Sequence, residues 1–151
     1  QALSPTTELF LYFANRAQNL DEQIRPALAR GELVVSDRYT DSTLAYQGAA
    51  RGLGLETVAA LHRIACRGTE PSLTIYLRVT PEVSRARRSG LKDDRLEAEG
   101  KAFHEAVFAA YEALAAAEAE RIVTVDGNRA SEVVAAELWA RVRERWDARA
   151  A

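Results

Sequence analysis

Three short apolar runs set the terms for what this chain can fold into: residues 33–36, 73–79 and 121–125. They are apolar along nearly their whole length, not at alternate positions, and rich in Val and Ile. Strands of that kind belong to sheets covered on both faces. Segments with helical periodicity separate them, and strand–helix alternation points to α/β architecture with a parallel sheet. Ser4-Pro5 is a helix start, Ser at the N-cap and Pro in the first turn. Leu9, Phe10, Phe13 and Ala17 then recur at helical spacing, so a helix is expected over 5–19. A second helical stretch over 21–30 contains Pro26, which should bend or interrupt it. Further helices are expected over 56–66, from Thr80-Pro81 into an Arg cluster, over the Ala-rich 98–120, and over 131–149. Residues 39–54 read as a polar, Gly-bearing stretch. Three strands are few for an open parallel sheet, and the chain starts at Gln1 and has no Met. The expectation is one domain over 1–151 that is the C-terminal part of a longer chain.

Composition excludes several classes. With 151 residues, 48% hydrophobic, 28% charged and a net charge of −2, the chain is neither a disordered tail, a collagen-like repeat nor a disulfide scaffold. The single Cys66 cannot form an internal disulfide, which fits a reducing compartment. No apolar run approaches the roughly 18–20 residues that span a bilayer. Mild acidity argues against a general nucleic-acid coat.

Three places could carry chemistry. Asp37-Arg38 ends the first apolar run, and ligands of open α/β sheets sit beyond the carboxyl ends of strands. Arg offers a planar fork matching phosphate; a structural ion pair would equally account for the dipeptide. Tyr12 and Arg16, spaced i, i+4, share a helix face that could cradle a base and its phosphate, or simply place a core ring beside a solvated Arg. Arg85, Arg87, Arg88, Lys92 and Arg95 suit a Gly-containing segment closing over phosphates, or a solvated basic helix end. His62 and His104 read as surface or core-edge residues, and Cys66 as an apolar filler. No zinc spacing, no G-x-S-x-G and no G-x-x-x-x-G-K-[ST] phosphate loop occurs in the 151 residues.

Several segments recur together in one order. They are Leu3-Ser4-Pro5-Thr6-Thr7-Glu8, Phe13-Ala14-Asn15-Arg16-Ala17-Gln18 and Ile24-Arg25-Pro26-Ala27-Leu28. Next come Ser36-Asp37-Arg38-Tyr39 and Asp41-Ser42-Thr43-Leu44-Ala45-Tyr46-Gln47-Gly48. Pro71 to Leu77, Thr80-Pro81-Glu82-Val83, Asp94-Arg95-Leu96-Glu97 and Phe103-His104 complete the set. In this combination the chain resembles the bacterial thymidylate kinases along essentially its whole length. The resemblance implies a three-layer, P-loop nucleoside monophosphate kinase fold, a parallel sheet with helices on both faces. It implies transfer of the ATP γ-phosphoryl group to dTMP with Mg²⁺. It also implies a cytoplasmic homodimer that needs neither nucleic acid nor membrane. The family's opening strand, phosphate loop, helix and next strand are absent here, so the chain alone is expected to be inactive.

Carried onto matching positions, Tyr12 stacks on thymine and Arg16 holds the dTMP phosphate. Arg38 is the second acceptor-phosphate Arg and aligns the acceptor for in-line transfer. Asp37 lies by the magnesium. Thr43 and Gln47 meet the thymine edge, and Tyr46 lies by the deoxyribose. Residues 85–97 match the lid, with Arg87 and Arg88 as catalytic candidates and Arg85 and Lys92 as further ATP contacts. The lid has one residue fewer than the family pattern, so both Arg candidates are carried. Asn128 and Arg129 match the loop beside adenine. The first helix and the helix over 56–66 are the dimer-interface candidates. A deoxynucleoside kinase and a non-catalytic association module are the alternatives. The pairing of Arg16 with Arg38 suits an acceptor that already bears a phosphate.

Overall fold

Helix α1 (Pro5–Asn19) begins where the capping residues place it. The Ser4 hydroxyl accepts from the Thr7 N–H at 3.2 Å, and Pro5 fills the first turn, where no N–H donor is needed. Ser4→Ala is expected to cost about 1 kcal/mol, read as a lowered midpoint in urea unfolding at unchanged slope. The computed structural model describes residues 3–89, 96 and 99–150. These fall into two units, residues 1–70 and 71–151, each described by itself.

In the first unit, α1 does not stop at Asn19. Leu20 keeps helical angles (φ −59°, ψ −46°), and the chain passes through a π-helical turn (Leu20–Ile24) into α2 (Arg25–Ala29). Two separate helices were expected; one continuous rod with a widened turn is found. The cause is Pro26, which lacks an N–H and crowds the carbonyl four residues back. A π turn immediately upstream relieves that crowding without ending the helix. The rod ends at Gly31, whose φ of +76° a side chain would resist.

The strand expected over 33–36 is not formed. Leu33 and Val35 are 61% and 86% exposed. Apolar, β-branched sequence favours extension, but a strand exists only with a ladder partner, and the first unit offers none among the described residues. The stretch expected to be irregular is helical instead: α3 (Thr40–Thr43) runs into a second π turn (Leu44–Ala50). Gly48 lets this turn approach α4 (Leu55–Cys66) closely, since a Cβ there would sit 3.1 Å from Leu55 and 3.4 Å from Val58. The core of the unit is Leu9, Phe13 and Leu20 against Val58 and Cys66. Cys66 is buried and unpaired, the apolar filler expected. Arg25 fastens the end of α4, donating through Nη2 to the Cys66 carbonyl at 2.9 Å and through Nε to Thr69 Oγ1 at 3.2 Å.

In the second unit, β1 (Thr74–Arg78) pairs in parallel with β2 (Ile122–Asp126), Thr74 opposite Ile122 and Arg78 opposite Asp126. Helices α5 (Pro81–Arg88) and α6 (Lys101–Ala117) form the connection, and α7 (Ser131–Ala150) follows. Parallel strands need such a crossover, so the expected α/β alternation holds here with two strands rather than three among the described residues. Thr80 caps α5 through the Val83 N–H, as its sequence position foretold. Tyr76 is buried on β1 and stacks on Tyr111 of α6, centroids 5.1 Å apart. Among the described residues no helix is long and apolar enough to cross a membrane.

Candidate functional site

The first unit gathers its chemistry around one face of α1. Glu8, Tyr12 and Arg16 recur every four residues, so their side chains stack along that face. Arg16 is the most constrained of them. Its guanidinium carbon lies 4.9 Å from the Phe13 ring centroid and 5.2 Å from that of Tyr39. Nη2 donates to Thr43 Oγ1 at 2.9 Å and to the Tyr39 carbonyl at 3.3 Å. Nη1 is buried and has no hydrogen-bond partner among the described residues. Burial is the largest influence on this guanidinium and draws its pKa below the usual value. A donor nitrogen stripped of water and unpaired is costly, and an incoming oxygen would satisfy it.

Tyr39 shapes that pocket wall. Its hydroxyl donates to the Thr69 carbonyl at 2.9 Å, and burial pushes the phenol pKa well up, so the ring is a neutral donor. Its edge meets the His62 ring at 6.2 Å. His62 joins Thr40 Oγ1 (Nδ1, 2.7 Å) to the Glu70 carboxylate (Nε2). It is therefore a built-in strut at the start of α3, more committed than a core-edge residue; its periodicity on α4 gave no sign of partners 22 and 8 residues away.

Arg38 follows on the exposed segment before α3. Its backbone is left-handed, φ +68°, which non-glycine residues adopt only when something holds them there. Here Ser36 Oγ donates to the Arg38 carbonyl at 2.9 Å, and the guanidinium lies over the Tyr46 ring at 5.0 Å. The neighbouring Asp37 carboxylate is exposed. No group of three or more His, Cys, Asp or Glu side chains able to hold a metal occurs among the described residues. Magnesium is commonly held by one or two carboxylates plus substrate phosphates, so Asp37 fits as one such ligand rather than as part of a preformed cage.

Thr43 and Gln47 are both 2% exposed and lie one turn apart. Gln47 Nε2 donates to Glu8 Oε1 at 2.6 Å, and Glu8 Oε2 lies 3.6 Å from Arg51 Nη2. Glu8 and Arg51 were not foreseen as site residues. The four-residue step from Glu8 to Tyr12 to Arg16 is a signal from which Glu8 could have been found; nothing local marks Arg51.

The second unit holds the other candidates. Arg87 donates to the carbonyls of Gly127 (2.7 Å), Asn128 (3.1 Å) and Arg129 (3.3 Å). Asn128 accepts from the Thr80 N–H at 3.1 Å through Oδ1. Arg129 is held by Glu137 and Asp126, and the Glu137 hydrogen bond raises its pKa. Gly127 allows the close approach, since a Cβ there would lie 2.7 Å from Val79 Cγ2. Arg87 thus ties α5 to the loop after β2, a fixed task for a residue expected in a moving lid. Arg85 is exposed on α5 and Arg88 half-buried. Lys92, and with it most of the expected lid, lies outside the described residues.

Comparison with known proteins adds a second, independent line. The family model for thymidylate kinase matches residues 1–138. A thymidylate kinase of Synechococcus sp. (strain JA-3-3Ab) is 48% identical over 144 residues, 95% of this chain and 69% of the relative. One from Caldanaerobacter subterraneus subsp. tengcongensis is 46% identical over 123 residues, 82% of this chain and 59% of the relative. One from Pelobacter propionicus is 43% identical over 148 residues, 93% of this chain and 68% of the relative.

Proposed function

The chain belongs to the thymidylate kinase family, and from that premise we propose that it carries the acceptor site and lid of an enzyme that phosphorylates dTMP to dTDP with ATP. The observation that carries this reading is the buried, unpartnered Nη1 of Arg16, set between two aromatic rings and Thr43. That is a donor prepared for an oxygen of a bound nucleotide.

The roles follow from position and chemistry. Tyr12 offers a ring for thymine to stack on, and Thr43 and Gln47 offer polar groups to its edge. Arg16 donates to the acceptor nucleotide. Arg38, braced on Tyr46, holds the acceptor phosphate in line with the donor. Tyr46 lies beside the deoxyribose. Asp37 is the protein carboxylate for Mg²⁺, which when bound neutralises charge on the transferring phosphoryl group. Arg87 positions the loop bearing Asn128 and Arg129 beside adenine. Arg85, Arg88 and Lys92 supply positive charge over the ATP phosphates. Phosphoryl transfer asks for positioning and charge neutralisation rather than covalent work by the protein, and this set supplies the acceptor share. The cradle for the donor phosphates lies outside these 151 residues, so this stretch alone binds dTMP without turning it over. We place the enzyme in the cytoplasm, with the buried free thiol of Cys66 fitting a reducing compartment. It works as a homodimer through the apolar positions that α1 and α4 leave exposed, Phe10 and Leu11 on the one and Ile64 on the other.

The test is turnover by the full-length gene product. With ATP and Mg²⁺ it should phosphorylate dTMP and not thymidine, and calorimetry should detect dTMP binding. Absence of dTMP binding at millimolar concentration overturns the assignment, and preference for thymidine replaces it with a deoxynucleoside kinase.

A further inference from the structure

We propose that Glu8 is a positioning residue for base selection: it fixes which end of the Gln47 amide faces the nucleotide, and so sets the chain to read thymine and reject cytosine. The inference rests on the acceptor-site reading above, in which Gln47 meets the base edge.

A glutamine side chain ends in two groups of opposite polarity, a carbonyl oxygen that accepts and an NH₂ that donates. Left to itself it rotates to suit any partner. Gln47 is not left to itself. Its NH₂ donates to Glu8 Oε1 at 2.6 Å inside the first unit, where both residues are 2% exposed. Glu8 enters this contact as an anion, since its other oxygen faces the Arg51 guanidinium at 3.6 Å. An ionised carboxylate only accepts. It cannot tolerate the Gln47 carbonyl in place of the NH₂, because two acceptors would face each other without a proton between them. The amide is therefore locked with Oε1 turned away from Glu8, and Oε1 has no protein partner among the described residues.

An acceptor presented to a pyrimidine edge selects by protonation pattern. Thymine carries a proton on N3 and donates there. Cytosine has a bare N3 and accepts there. A carbonyl fixed in place pairs with the first and repels the second. A freely rotating amide would serve both. Glu8 is also expensive where it stands, since a buried carboxylate loses hydration that only its partners replace. Gln47 and Arg51 are among those partners, and the first of them is a base-edge candidate.

The experiment compares dTMP with deoxycytidine monophosphate as acceptors for the full-length gene product, wild type against Glu8→Gln. The substitution keeps shape and removes the acceptor-only character, so either orientation of Gln47 becomes acceptable. The ratio of kcat/KM for dTMP over the cytidine nucleotide should fall at least tenfold. KM for dTMP should rise, and kcat at saturation should stay near wild type. Glu8→Asp, which restores an acceptor-only carboxylate one methylene shorter, should recover much of the ratio that Glu8→Gln loses, with both variants assayed below their melting midpoints. An unchanged ratio, or equal losses for both nucleotides, overturns the inference and leaves Glu8 a packing residue. Wild-type protein that binds no dTMP overturns the acceptor-site reading itself, and this inference with it.

Discussion

Replacing Arg38 by Ala in the full-length protein is expected to lower kcat/KM for dTMP on the order of 10³-fold, about 4 kcal/mol of transition-state stabilisation. The fold should hardly notice. Arg38 is exposed, and surface substitutions usually change stability by no more than about 0.5 kcal/mol. Glycine at the same position sharpens the test. The backbone of Arg38 is left-handed at φ +68°, a conformation that costs an L-residue roughly 1–2 kcal/mol. Glycine enters it freely, though its more flexible unfolded chain returns some of that gain. Arg38→Gly should therefore melt no lower than Arg38→Ala while losing the same activity. Strain kept for the sake of a guanidinium's placement would explain that pair of outcomes. Equal activity in all three proteins would remove Arg38 from the acceptor site.

What the sequence made legible was what is encoded locally. Ser4-Pro5 and Thr80-Pro81 gave the helix starts because caps act over three or four residues. Residues 73–79 and 121–125 gave the two strands, and their helical connection gave the parallel pairing. Residues 33–36 have the same composition and are not a strand, because a ladder needs a neighbour that local sequence does not supply. The helical segment over 40–50 was hidden by Gly48, which reads as a breaker and serves as a close-packing point against α4. The site divides in the same way. Tyr12 and Arg16 share a helix face by spacing alone. Gln47 with Glu8, His62 with Thr40, and Arg87 with the carbonyls of residues 127–129 are joined across 39, 22 and 40–42 residues, by packing that no local pattern records.

Arg16→Lys is expected to raise the KM for dTMP on the order of 10²-fold, with kcat at saturation changed far less. Lysine keeps the charge and much of the stem, but not the fork. In Arg16 one terminal nitrogen is spent on Thr43 Oγ1 and the Tyr39 carbonyl, and the other is buried with no partner among the described residues. A single ammonium can serve the wall or the ligand, and serving both is what a planar, two-nitrogen head allows. A charge-assisted hydrogen bond of about 1.5–3 kcal/mol sets the size of the loss. Thymidine tells what the second nitrogen contacts. If it meets the phosphate, the substitution weakens dTMP binding and leaves thymidine binding unmoved in calorimetry. If it meets the base, both fall together. Undiminished binding of both nucleotides would mean that the orphan donor faces no ligand, and the observation on which the acceptor site is built would lose its force.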